Sequence, residues 1–454
     1  MATTATQESL NSSAAALRAR LAALEHEMAG LESRLRLLTA ERDVVVYGLG
    51  AIVYPVLTLP PEIMGEIFSH YVENPHIGYT QDPGRGPLLL ASVCRSWREI
   101  CLSIHPFWSN LRIFPPRVGL DAFLSRTECW LSRAGDEPLD LEISRSASTQ
   151  AVLSFLSRRS TQLRTLKLAL DATLANAEMA GRLPLLEKLS IGTSMDHQHD
   201  WPIMTCFRDT PSLREVQLSI ASPRWISLPW SQLLSLELTT TNLFNCLEVL
   251  RQTQDLRALT VYLTNRTIYT SRDDPRPLIL AHLRTLNFLY SGDGLLLDHL
   301  TLPALESLQC SYLNDEGANR LMSLASRSSW PLRRVRLANT LARAYIPCLR
   351  YTPSVEEVEI YHRQYTARQL FELLATDTEG FLPALRALTI ADGTADISYL
   401  NILEMVRARK SGPLRCFGYS FTGHSDLNKA AVEGIRDRLR SLVREELKVE
   451  LTEY

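Results

Sequence analysis

His197 and His199 stand two residues apart in the stretch DHQHD, Asp196 to Asp200, with a carboxylate on either side. Such donors could ligate a divalent metal. All of them would come from a single loop, a weak arrangement for a metal site, and a solvated loop is the preferred reading. The eight cysteines (Cys94, Cys101, Cys129, Cys206, Cys246, Cys310, Cys348, Cys416) are scattered and form no C-x-x-C pair. They read as reduced, mostly buried residues of an intracellular protein rather than as zinc or redox ligands. The Gly-rich turn SGDGLLLD has no lysine to meet a phosphate. The chain also lacks G-x-x-x-x-G-K-[ST], H-E-x-x-H, G-x-S-x-G and a dinucleotide fingerprint. No catalytic residue, metal or cofactor is therefore assigned, and the expected chemistry is recognition by a non-enzyme.

Composition narrows what is recognised. The chain has 454 residues, of which 45% are hydrophobic and 22% charged, enough for large cores and about three structural units. Its 48 basic and 50 acidic residues leave a net charge of -2, which argues against a general nucleic-acid or membrane-surface binder. The start MATTATQESLNSS lacks the charge and apolar core of a signal peptide, so an intracellular location, cytoplasmic or nuclear, is expected.

The elements that position a recognition surface can be read in order. Residues 1–9 are expected to be disordered. From Leu10 to Glu41 a seven-residue apolar period places Leu10, Leu17, Leu24, Leu31 and Leu38 at one seam position and Ala14, Leu21, Met28 and Leu35 at the other. About four heptads of this kind predict a coiled-coil helix over 10–43, open to self-association or to packing within the chain. Residues 44–58, with VVVYGLGAIVYPVL, are too short and too interrupted by Gly48, Gly50 and Pro55 to span a bilayer. They read as a buried or partner-facing linker.

Next comes LPPEIMGEIFSHYV, where Pro60-Pro61 and Glu62 start a helix with Ile63, Ile67, Phe68, Tyr71 and Val72 on one side. After a Pro- and Gly-rich loop, PLLLASVCRSWREICLSI repeats Leu90, Val93, Trp97, Ile100 and Ile104 at helical spacing, and HPFWSNL closes the unit with Trp108. Three short helices carry more apolar surface than they can bury among themselves. LPPEIMGEIF, LLLASVCRSWREICLS and PFWSNL together resemble an F-box over residues 59–112, with a connector from Glu73 to Gly86 that is longer than in the shorter animal pattern. The layout is most similar to the large F-box families of mushroom-forming fungi. That resemblance implies docking of the Skp adaptor of a cullin-RING ubiquitin ligase. Leu59, Pro60, Ile63 and Ile67 would enter the adaptor groove, Val93, Cys94 and Trp97 would continue the seam, and Trp108 would close it. Phe68 and Ile100 read instead as core of the unit.

Downstream of a helical connector over 113–138, the phrase L-x-x-L-x-L recurs. It appears as LRTLKL, LEKLSI, LREVQL, LLSLEL, LRALTV, LRTLNF, LESLQC, LRRVRL, VEEVEI, LRALTI and LRCFGY between Leu163 and Tyr419. The mean step is about 25 residues, inside the leucine-rich-repeat range. Alternation makes each phrase a short strand with one buried face, completed only by stacking on neighbours. The fold class expected is α/β: a leucine-rich-repeat-like solenoid over 139–426, with a curved parallel sheet, outer helices and an amphipathic capping helix over 427–454. Residues between the buried positions should line the concave face: Lys167, Gln217, Glu237, Tyr262, Asn287, Gln309, Arg336, Glu359 and Tyr361. Their mixed, partly aromatic chemistry suits a folded protein or peptide.

The five lysines, Lys167, Lys188, Lys410, Lys429 and Lys448, leave the first 166 positions without one. In a substrate receptor this would limit self-ubiquitination, although an arginine-biased coding composition explains it equally well. The whole reads as the substrate receptor of a Skp–cullin–F-box ligase, with an unidentified protein substrate. The rival reading is a repeat scaffold whose short-helix unit docks within the chain and recruits no ligase.

Overall fold

The computed structural model describes residues 2–50, 55–72, 85–116, 118–144, 155–170, 183–193, 203–219, 223–240, 243–263, 277–289, 294–340, 342–362, 368–392, 399–409, 412–421 and 448–453. The chain divides into two compact units: residues 1–74 with 89–103, and residues 75–88 with 104–454.

In the first unit a single helix, α1, runs from Ala2 to Gly50. It begins earlier and ends later than the heptad reading placed it, so neither 2–9 nor 44–50 is a separate segment. Every described side chain from Leu17 to Gly50 is exposed, Val44, Val45, Val46, Tyr47 and Leu49 included. Of the two expectations for the linker, buried or partner-facing, burial within the chain is thus corrected for residues 44–50. Helix α2 spans Pro61–Val72, starting on the bond from the Met64 N–H to the Pro60 carbonyl at 3.1 Å. Proline fits this first turn because its missing N–H had no partner to lose. The predicted single helix around VCRSW is two: α3, Gly86–Val93, and α4, Arg95–Ser103. The break falls at Cys94, whose Sγ accepts the Trp97 N–H at 3.5 Å and so caps α4. Arg98 Nε donates to the Ala91 carbonyl at 2.8 Å and fixes the corner.

The second unit is built on a parallel sheet. Short helix α5, Pro106–Ser109, leads into strand β1, Asn110–Ile113, and α6, Leu120–Leu131, precedes β2, Leu139–Ile143. The sheet therefore begins inside the segment assigned to the short-helix unit, one strand earlier than expected. All eleven repeated phrases are strands of it: β3 163–170, β4 188–193, β5 215–219, β6 235–240, β7 258–263, β9 285–289, β11 307–311, β12 334–338, β13 357–362, β14 387–392 and β15 416–421. A final strand, β16, Lys448–Glu453, pairs parallel with β15. The capping helix expected over 427–454 is corrected there, because KVELTE alternates apolar and polar with period two, which suits a strand. Residues 427–447 lie outside the described residues. Among the described residues these fourteen strands form one parallel sheet, while β8, Leu278–Ile279, and β10, Leu300–Thr301, pair separately.

Two columns of side chains fill one face of the sheet. One runs Leu111, Leu141, Leu166, Leu189, Val216, Leu236, Leu259, Leu286, Leu308, Val335, Val358, Leu388 and Phe417, and every member is buried. The other runs two residues further along each strand, from Ile113 to Tyr419, and is buried as well. Helices α7 (Leu243–Leu250), α8 (Asp315–Ser328), α9 (Ala342–Arg350), α10 (Arg368–Thr376) and α11 (Tyr399–Arg409) return the chain between strands. Asn314 caps α8 by accepting the Gly317 N–H at 2.8 Å, with Asp315 and Glu316 in the first turn complementing the helix dipole. Arg409 is 3% exposed and donates to the carbonyls of Leu374, Asp377, Phe381 and Leu382, which lie around the end of α10. The buried guanidinium supplies donors to a carbonyl of the last turn, Leu374, and to three in the turn that follows, of which Asp377 and Leu382 also accept the Phe381 and Leu385 N–H groups.

Candidate functional site

Helix α2 has two apolar faces. Met64, Phe68 and Val72, at i, i+4 and i+8, are 2%, 1% and 1% exposed and form the core of the short-helix unit. Ile63 and Ile67, each one residue before Met64 and Phe68, are 50% and 48% exposed, and Leu59, four residues before Ile63 and just ahead of the helix, is 39% exposed. Pro60 and Val56 beside them are also exposed. The sequence reading joined Ile63 and Ile67 with Phe68 and Val72 in one stripe; the structure separates an inward stripe from an outward one. Met64, which that reading passed over, anchors the inward stripe and could have been found from its spacing to Phe68 and Val72.

The remaining expected docking residues divide further. Val93 is 57% exposed at the corner between α3 and α4, with Leu102 of α4 also exposed. Cys94 is half-buried and occupied as the helix cap. Trp97 is half-buried, its ring centroid 4.9 Å from that of Phe68 at 60°, and its buried Nε1–H meets no acceptor. Its indole thus belongs to the same core as Phe68, where Ile100 is half-buried and Cys101 fully so. Trp108 is a correction. It is 0% exposed and lies in the second unit, edge-on to Trp130 at 4.8 Å. Arg133 stacks over the Trp108 ring at 4.6 Å, and Trp130 Nε1 donates to its carbonyl at 3.1 Å. A side chain enclosed on that scale stabilises the fold and has no surface to offer a partner.

The solvent-facing side of the sheet supplies a second surface. Parallel register aligns Arg112, Glu142, Lys167, Ser190, Gln217, Glu237, Thr260, Asn287, Gln309, Arg336, Glu359 and Thr389 in one row. Seven of the nine expected recognition residues fall in it. Tyr262 and Tyr361 stand in the next row, opposite Thr239 and Ala338 respectively. Ser190, Thr260 and Thr389 were missed although the phrase spacing marks their positions. Within the row, neighbours bind each other across strands. Glu142 faces Arg112 at 3.2 Å and Lys167 at 3.9 Å, while Gln217 accepts from Ser190 at 3.0 Å and donates to Glu237 at 2.9 Å. Asn287 donates to Thr260 at 3.0 Å. Glu359 accepts from Arg336 Nε at 2.6 Å and from the Tyr361 hydroxyl at 3.0 Å. The Arg336 hydrogen bond, aided by that of Tyr361, holds the Glu359 carboxyl below its usual value of 4.5.

Burial drives the thiols of Cys101, Cys206, Cys246 and Cys348 up to about 12, so each shift moves its group away from neutral pH. A cavity of about 320 Å³ is lined by Ile203, Ile226, Trp230, Glu248 and Arg224 among others, with Arg224 tied to Glu248 at 2.8 Å. Among the described residues no group of three or more His, Cys, Asp or Glu side chains is placed to hold a metal; His197 and His199 lie outside them. No described helix is long and apolar enough to cross a membrane. Gly294 takes φ +66 at the start of a turn that buries Leu295, Leu296 and Leu297, giving this part of SGDGLLLD a packing role.

No protein-family model matches the chain, and no curated protein matches its sequence.

Proposed function

We propose that this chain is a substrate receptor of a Skp–cullin–F-box type ubiquitin ligase, in which the short-helix unit docks the Skp adaptor and the sheet holds a protein substrate. The observation that carries the reading is the outward stripe of α2. Ile63 and Ile67, with Leu59 just before the helix, stay in water while the adjacent stripe of Met64, Phe68 and Val72 is buried. Side chains that the unit does not need for its own core are exposed together, a pattern associated with protein docking. The resemblance of LPPEIMGEIF and VCRSW to an F-box names the partner. The eleven phrases at about 25-residue spacing, each a strand beside the next, favour a leucine-rich-repeat-like solenoid for the second unit.

The mechanism is proximity. A receptor of this kind raises the effective concentration of substrate near a ubiquitin-charged enzyme and contributes no chemical step. Capture of the Skp adaptor and cullin by the wild type tests this, compared with Leu59→Ala/Pro60→Ala and Ile63→Asp variants of unchanged circular dichroism. Capture lost in the variants is the expected result. A folded wild type that captures neither protein overturns it and leaves the scaffold reading in place.

A further inference from the structure

Helix α1 offers an apolar seam that no described residue of the chain covers. Leu17, Leu24, Leu31 and Leu38 alternate along it with Leu21, Met28 and Leu35, each between 45% and 69% exposed. The helix continues past the last predicted heptad, so the seam gains Arg42, Val45 and Leu49, with Val45 60% and Leu49 61% exposed. The residues flanking it from Arg18 to Glu41 are polar: Arg18, Glu25, Glu32 and Thr39 on one side, and Arg20, Glu27, Arg34 and Glu41 on the other. An apolar stripe this narrow is the seam of a coiled coil, whereas a helix lying on a globular core needs a wider one. Gly30 and Gly48 weaken the helix from within, and long helices in proteins draw most of their stability from packing.

We propose that α1 forms a parallel, in-register, two-stranded coiled coil with α1 of a second copy of this chain. The area is sufficient. Nine large apolar seam residues at roughly 60–100 Å² each approach the roughly 800 Å² per partner of a standard interface. Charge also suits a copy of itself. From Leu17 to Gly50 five arginines face five acidic residues, and both flanks mix the two signs, where a helix built for an oppositely charged partner carries mainly one. In the parallel pair Arg20 meets Glu25 of the other copy. Arg42 falls at a seam position, where in-register pairing sets it beside its own symmetry mate instead of against leucine. A single polar seam residue of this kind selects register and disfavours larger bundles. Glu27 faces Glu32 of the other copy with like charge, which weakens the dimer and supplies a handle on its orientation.

The test is sedimentation velocity of the full chain at micromolar concentrations. The wild type should sediment at twice the 51.2 kDa of one chain. Leu24→Glu/Leu31→Glu should be monomeric with an unchanged sheet by near-ultraviolet circular dichroism. Glu32→Arg, which turns the repulsive pair into an attractive one only in the parallel arrangement, should tighten dimerisation about tenfold. A monomeric wild type, or a dimer that survives the seam substitutions, overturns the proposal. A dimer weakened by Glu32→Arg overturns the parallel arrangement.

Discussion

The two units treat apolar side chains in opposite ways. In the sheet, three residues of every L-x-x-L-x-L phrase are buried and many of the residues between them bind cross-strand neighbours, so the solvent side is polar and much of it is self-satisfied. In the short-helix unit, one helix buries Met64, Phe68 and Val72 and leaves Ile63 and Ile67 in water, with Leu59 exposed just before it. The difference follows from periodicity and size. A strand of period two has only two faces, and stacking neighbours closes one of them along the whole array. A helix has a continuous circumference, and a few short helices cannot enclose all of it.

The sharpest way to break this contrast is a pair of truncations. Leu308→Ala, in the buried column, should cost about 3 kcal/mol in urea denaturation, through lost transfer energy and the cavity left behind. Ile63→Ala, half exposed, should change stability by less than about 0.5 kcal/mol. Equal losses would mean that Ile63 is part of a core and not of a docking face. Arg409→Met comes next. It removes four hydrogen bonds around the end of α10, those to the Leu374 and Phe381 carbonyls with no backbone donor among the described residues to replace them, and about 2 kcal/mol of lost stability is expected, with Arg409→Lys recovering only part because ammonium lacks the planar fork.

Smaller effects belong to the exposed row. A double-mutant cycle on Arg336 and Glu359 should give about 0.5 kcal/mol or less, since both side chains remain substantially hydrated. Because the folded carboxyl is held below 4.5, its contribution is fully present above that pH and fades as the pH falls through the folded value. A coupling that persists in acid would show that the pair is not ionic. The smallest effect is on reactivity alone. Exposed Cys129 should react first with a thiol reagent at pH 8, while buried Cys101, Cys206, Cys246, Cys310 and Cys348 wait for unfolding. Early labelling of Cys246, buried with its thiol pushed up to about 12, would reveal local opening beside α7.

The repeat could be read from the sequence because L-x-x-L-x-L records strand geometry directly, and each phrase proved to be a strand beside its predecessor. Three features could not. The sheet starts at Asn110 with a strand, NLRI, that has no repeat phrase of its own, and β16 is KVELTE, after a stretch whose helical pattern dominated the reading. The Cys94 break is a capping event, and a hydrophobic period continues through it unmarked. At the candidate docking face, helical spacing found the apolar residues of α2 but could not divide two stripes offset by one position. That division depends on where α4 lies, with Trp97 against Phe68. Trp108 was misassigned for the same kind of reason, since only the fold supplies Trp130 and Arg133 as its enclosure.

From β2 onward the chain moves over to the next strand of the sheet with each repeat, and corresponding positions fall in the same row almost throughout. The number of strands is consequently a free variable, whereas the identity of each row is not. A strand and its return could be duplicated or deleted as a block, lengthening or shortening the polar row without disturbing the buried columns on either side. Gene-level gain or loss of such a block would alter the reach of the surface while leaving every retained contact in place.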